Sequence, residues 1–140
     1  MLNNRRKFKS HATSMRKLLV AMLLFPLFVF AKGPQIKFLN SVHEFGNIKE
    51  KGGIVSTSFK FVNTGDAPLV ILNATANCGC TKPTFPDAPV APGDTAAIAV
   101  TFDPDGKAGE VNKTIKVTSN SVKGSVARLK IKGAVIPPNR

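Results

Sequence analysis

The residues with chemistry in them are Cys78 and Cys80, the only two cysteines in the 140-residue chain, separated by Gly79. In a flat strand, thiols two residues apart point to one face and sit too far apart to bond comfortably. Gly79 is expected to allow the tight bend that brings them together. A bridge over so short a loop offers only about 1.5 kcal/mol of chain entropy before strain is deducted. It is therefore a weak global staple, and a strained loop-borne bridge is more oxidising than a buried structural one. Two thiolates can also chelate a soft ion, but a closed zinc site needs four ligands. His43 is the one histidine after residue 31, so such a site would borrow carboxylates, water or a second molecule. Three readings stay open for the pair: a loop clamp, a redox couple and a metal chelate.

Other constellations carry less. Nucleophilic catalysis would need Cys78 or Cys80 with His43 as base, and nothing in the order of residues brings them together. No Gly-rich phosphate loop is present. Asp103, Asp105 and Glu110 lack the ligand pattern of an EF-hand, and Asp103-Pro104-Asp105-Gly106 is an ordinary turn sequence. Arg128, Lys130 and Lys132 line one face of the last apolar segment, with Lys113 and Lys116 on the segment before. That pattern fits a solvated sheet face or a guarded edge, and secondarily a patch for acidic glycans or lipid head groups. Asn73-Ala74-Thr75 and Asn112-Lys113-Thr114 match the glycosylation sequon, which arises easily by chance. No catalytic residue, metal ligand or cofactor site is assigned.

The formal charge of +12 suggests a nucleic-acid binder until it is divided along the chain. Residues 1–31 hold six of the 20 basic residues and none of the eight acidic ones, leaving +6 for the rest. All the aromatic residues outside histidine are Phe, and they do not interleave with the cations as in a single-strand RNA binder. Nucleic acid is excluded as the expected partner.

Much of the charge belongs to a targeting pattern. Arg16 and Lys17 precede Leu18 to Ala31, an uncharged apolar run. As a helix it would span about 21 Å, short of the roughly 30 Å hydrocarbon core of a bilayer. Residues 1–31 are expected to be a signal peptide, with Val29 and Ala31 as the small residues before the cut and Met15 as an alternative start. The competing reading is an uncleaved membrane anchor, the one route by which the chain would meet a membrane. No Cys follows the run, so a bacterial lipid anchor is unsupported. Residues 32–140 are expected to form the exported domain, periplasmic or extracellular, where disulfides are permitted.

The elements that must position Cys78 and Cys80 read as short strands. Ile36 and Phe38 alternate, and Val42 and Phe45 precede Gly46. Val55, Thr57, Phe59 and Phe61 share a face opposite Ser56, Ser58 and Lys60, the period-two pattern of a half-buried strand. Asn63-Thr64-Gly65-Asp66 marks a turn, with Pro68 restraining its exit. Leu69 to Leu72 reads as a central strand. Pro83, Pro86, Pro89 and Pro92 make the next stretch unsuited to a helix or an inner strand. Pro92-Gly93 predicts a type II turn. Ile98, Val100 and Phe102 alternate, as do Ile115 and Val117, then Leu129, Ile131 and Val135. About seven strands at this spacing predict an all-β, immunoglobulin-like antiparallel β-sandwich. The antibody-type Trp, Tyr and widely spaced Cys pair are missing.

Several motifs occur together in a fixed order: His43-Glu44-Phe45-Gly46, Phe59 through Leu69, Cys78-Gly79-Cys80-Thr81, Ala91-Pro92-Gly93-Asp94, Asn112-Lys113-Thr114-Ile115 and Ile131-Lys132-Gly133. With these the chain resembles, from about Gln35 to Val135, a secreted member of the bacterial domain-of-unknown-function family 1573, marked by Cys-Gly-Cys-Thr. The positions carrying the signature are His43, Phe45, Gly46, Asn63, Gly65, Pro68, Gly79, Thr81, Pro92 and Gly93. Wider relatives are the immunoglobulin-like domains of the major-sperm-protein and Hydin type, mainly binding or assembly modules. The resemblance implies the fold and an envelope location, and no established activity. The expected function is a non-enzymatic binding or assembly module of the bacterial envelope, its partner an unidentified envelope protein or glycan. The rival expectation is a thiol redox or metal-handling protein centred on Cys78 and Cys80.

Overall fold

Alternation fixes which side of each strand is dry, and the two dry sides pack face to face. The computed structural model describes residues 32–138, where eight strands occur. They are β1 (Ile36–Phe38), β2 (Val42–Lys49), β3 (Val55–Asn63), β4 (Ile71–Ala76), β5 (Thr81–Thr84), β6 (Thr95–Phe102), β7 (Gly109–Ser119) and β8 (Val126–Ile136). One sheet runs β1-β3-β6-β5 and the other β2-β8-β7-β4. Phe59, Phe61, Ile98, Val100 and Phe102 from the first sheet meet Ile115, Val117, Leu129 and Ile131 from the second, all of them buried. The proposed targeting segment, residues 1–31, lies outside the described residues.

The immunoglobulin-like sandwich stands, with two corrections to its details. First, β2 pairs parallel with β8, Val42 opposite Lys130 and Ile48 opposite Val135, so the sheets are not wholly antiparallel. The reason is that β1 and β2 form one extended run that changes sheets. The Leu39 N–H still donates to the Lys60 carbonyl of β3, while the Ser41 carbonyl already accepts from the Lys130 N–H of β8. Second, Leu69 to Leu72 is not a central strand. Leu69 makes an isolated bridge to Val90, and β4 begins at Ile71 as the edge of its sheet. Burial of Leu69 and Ile71 against the core explains their apolar character without a central position. The proline-rich stretch forms neither a helix nor an inner strand, as expected, but it does contain β5, with Pro83 inside it. β5 is an edge strand, where a missing N–H costs no ladder bond on the outer side.

Two chain crossings need glycine. Gly46 has φ +67° at the β2 irregularity between Glu44 and Asn47, and its carbonyl would lie 2.8 Å from a Cβ on Gly133. Gly65 runs against the backbone of Gly33 to Gln35, leaving no room for a side chain.

Candidate functional site

Half of the signature positions build one end of the sandwich. Asn63, the last residue of β3, is fully buried. Its Oδ1 accepts from the N–H groups of Gly65 (3.0 Å) and Gln35 (3.3 Å), and its Nδ2 donates to the carbonyls of Ala67 (2.8 Å) and Val90 (2.9 Å). All the hydrogen-bonding capacity of the buried amide is used, as burial of a polar group requires. The Asn63 carbonyl accepts from the Gly93 N–H at 2.8 Å. Gly93 has φ +83° and the Asp94 N–H reaches the Ala91 carbonyl at 3.0 Å, which makes Ala91-Pro92-Gly93-Asp94 a type II turn. Asn120 clamps the Pro68 side of this end. Its Nδ2 donates to the Pro68 carbonyl at 3.2 Å and its Oδ1 accepts from the Val70 N–H at 2.9 Å. Ser121 Oγ donates to the Lys123 carbonyl and accepts from the Ile36 N–H. Asn63, Gly65, Pro68, Pro92 and Gly93 thus serve the fold.

The opposite end carries the chemistry. Cys78 and Cys80 follow β4 and are joined by a disulfide, with their Cα atoms 5.4 Å apart. Both are half-buried, and Cys80 packs against the core. Thr81 opens β5 opposite Phe102 and is 3% exposed. Its Oγ1 lies 3.5 Å from Cys78 Sγ and 3.9 Å from Cys80 Sγ. Backbone bonds also fix the loop: Thr81 N–H to the Cys78 carbonyl at 3.3 Å, and Asp103 N–H to the Cys80 carbonyl at 2.9 Å. A recess of about 90 Å3 beside the bridge is lined by Ile54, Gly79, Cys80, Lys82, Thr101 and Asp103.

Gly79 corrects the expectation placed on it. It lies outside the positive-φ glycines, and a Cβ there would meet nothing within 4 Å. The tight bend is made without the conformational freedom of glycine.

The other candidates part company. His43 sits on β2 in register with Ile131, its ring edge-on to Phe45 at 4.6 Å. β8 and β7 stand between β2 and β4, so His43 is not a base or ligand for the cysteines. Asp103 Oδ1 accepts the Asp105 N–H at 3.0 Å, and Asp105 pairs with Lys51 Nζ at 2.5 Å across the end of the sandwich. The hydrogen bond from Lys51, then its charge, lowers the Asp105 pKa, and the same partner raises that of Lys51. Glu110 lies apart from both, on β7 opposite Ala134. On the outer face of the second sheet Lys116 stands opposite Arg128, and Thr114 opposite Lys130. Lys113 does not join them, because it falls in register with buried Ile131 on the other face.

Comparison with known proteins agrees with this architecture. A protein of unknown function from Porphyromonas gingivalis W83 superposes with a TM-score of 0.66 at 17% identity, over 79% of this chain and 51% of that one. The ASH/PapD-like domain of human CEP192 does so at 0.56 and 13% identity, covering 75% of this chain and 87% of that one. The secreted serine protease VesC of Vibrio cholerae follows at 0.56 and 10% identity, covering 76% of this chain and 24% of that one. At such identities the likeness is of fold alone, and this chain spans about half of the Porphyromonas protein. No curated protein matches it in sequence. The family model described as "Protein of unknown function (DUF1573)" matches residues 36–135, from the start of β1 to the penultimate residue of β8. The chain belongs to the DUF1573 family.

Proposed function

We propose that the chain is an exported, non-enzymatic binding module of the cell envelope that takes an extended segment of a partner protein onto the free edge of β3. One observation carries this reading. β1 is only three residues long and covers β3 from Phe61 to Asn63, with one further bond from Leu39 to Lys60. Among the described residues nothing pairs with Val55 to Phe59 on that side. The Lys60 carbonyl points towards β1, so by the two-residue period the N–H and C=O groups of Ser58 and Ser56 point the same way and stand free. An exposed row of this kind is a template for strand addition.

The same side offers a place for side chains. A recess of about 320 Å3 opens between β2 and the start of β3, lined by Phe45, Asn47, Ile48, Lys49, Gly52, Gly53 and Val55. An added strand with apolar residues at alternate positions would lay them against Phe45 and Ile48. The sheet's other edge, β5, is short and interrupted by Pro83. Occurrence of the same fold as a minor part of the secreted protease VesC supports the reading of an accessory module.

Ser58→Pro tests the reading. Proline there removes an N–H from the free edge and leaves the ladder to β6 untouched, so the fold should tolerate it. The tagged protein and this variant would each capture partners from the native envelope, with circular dichroism as the control for folding. A partner retained by the parent and lost by at least about tenfold from the folded variant is the expected result. Equal capture by both would sink it. Intact-mass measurement from the host should show a chain beginning near Lys32, and recovery of full-length chain in the membrane would refute export.

A further inference from the structure

Two sulfurs, a buried hydroxyl and an open approach meet at the Cys78–Cys80 bridge. The loop is held by more than the bridge, since the Cys78 carbonyl accepts from the Thr81 N–H and the Cys80 carbonyl from the Asp103 N–H. Opening the bridge therefore leaves the surrounding strands in place. The Thr81 hydroxyl is buried and reaches both sulfurs. A disulfide sulfur is a weak acceptor, whereas a thiolate is a strong, charged one. That hydroxyl therefore stabilises the open, reduced pair more than the closed one.

Gly79 supplies the approach. It is exposed, its backbone conformation suits any residue, and open space lies where its Cβ would be. The folded state gives no reason for glycine here, but the missing side chain leaves room for an incoming group above the bridge. Of the two sulfurs, Cys80 is the one that lines the recess, while the Thr81 hydroxyl lies nearer Cys78 Sγ (3.5 Å) than Cys80 Sγ (3.9 Å), which makes Cys80 the point of attack and Cys78 the leaving sulfur.

We propose that Cys78–Cys80 is a thiol–disulfide exchange site that oxidises a dithiol of a partner protein. A partner thiolate attacks Cys80 Sγ and forms an intermolecular S–S bond. The Cys78–Cys80 bond breaks and its electron pair leaves on Cys78 Sγ, where the Thr81 hydroxyl donates to the new thiolate. The second partner thiolate then attacks the partner's own sulfur in the mixed disulfide and releases Cys80. The partner departs as a disulfide. Two electrons pass to the Cys78–Cys80 pair, and the two protons of the partner thiols end on these cysteines.

The probe is glutathione. Oxidised protein purified from its host is equilibrated with mixtures of reduced and oxidised glutathione at neutral pH, then quenched with a thiol-alkylating mass tag. The bridge should open and close in the native protein with the β circular-dichroism signal unchanged. Cys78→Ser should form a 1:1 mixed disulfide with glutathione through Cys80, and Cys80→Ser should do so about tenfold more slowly. Thr81→Val should shift the equilibrium towards the disulfide by about tenfold with the fold intact, and Thr81→Ser should restore it. A bridge that stays closed in excess reduced glutathione until the protein unfolds overturns the proposal. So does an equilibrium unmoved by Thr81→Val. These readouts are independent of partner capture along β3, so either idea can fail alone.

Discussion

The side-chain amide of Asn63 donates to the Val90 carbonyl at 2.9 Å, tying the end of β3 to a segment 27 residues further on. It is one of four hydrogen bonds made by a fully buried side chain. Asn63→Ala strands two donors and two acceptors where water has little access. Each stranded group costs about 1–3 kcal/mol, and partial rehydration should leave a total of about 3–5 kcal/mol. Urea unfolding measures this, and a loss below about 1 kcal/mol would show that the loops rearrange freely around the missing amide.

Phe59 and Phe61 face the second sheet from adjacent inward positions of β3, with 2% and no exposure. Truncating either to Ala removes a large apolar group from a closely packed interior and should cost about 3–5 kcal/mol. That is a large share of the stability of a domain this size. Well-folded variants with nearly parental midpoints in denaturant would contradict the packing.

The bridge between Cys78 and Cys80 encloses a single residue. Changing both to Ser should lower stability by no more than about 2 kcal/mol while the sandwich persists. Thermal unfolding followed by circular dichroism reads the change directly. Collapse of the β signal at room temperature would make the pair a main staple.

Lys51 and Asp105 pair at the disulfide end, and both side chains are largely exposed. The Asp105 pKa is lowered by the hydrogen bond and charge of Lys51. The sign follows: the pair's contribution is present above the ordinary carboxylate pKa and is lost as pH falls through the lower, folded value. An exposed pair adds little, so Asp105→Asn should leave the thermal midpoint within error at neutral pH. Carbon-detected NMR titration should place Asp105 below an unperturbed aspartate, and added salt should bring it back.

Alternation made β3, β6 and β8 legible in the sequence, because Phe59 and Phe61, Ile98 to Phe102, and Leu129 to Ile131 each repeat with period two against polar neighbours. Proline obscured β5, since the sequence shows that Pro83 bars an inner strand but not that an edge would accept it. The parallel pairing of β2 with β8 was hidden as well, because a strand that changes sheets between Leu39 and Ser41 leaves no mark in a hydropathy pattern. At the site, the cysteines stood out by type. Thr81 entered only through its place in the motif, and its buried hydroxyl depends on β5 turning inward beneath the bridge. Asn120 and Ser121 gave no signal at all, as polar loop residues look alike until their partners are known. Lys113 was grouped with the outer cations by charge, and only register against Ile131 separates it from them.

Because β2 can find its place only beside β8, the second sheet has no complete form until the last strand of the domain is available. Val42 must wait for Lys130, across almost the whole length of the fold. Such distant pairing raises contact order, and folding should be slow, in the millisecond-to-second range typical of β-sandwiches. A ribosome-bound or partly translocated chain that lacks β8 would therefore stay open, with β2 unpaired and Phe45 and Ile48 uncovered. Stopped-flow refolding should show Ile131→Val slowing the folding limb if β2–β8 docking belongs to the transition state, and speeding only unfolding if it follows.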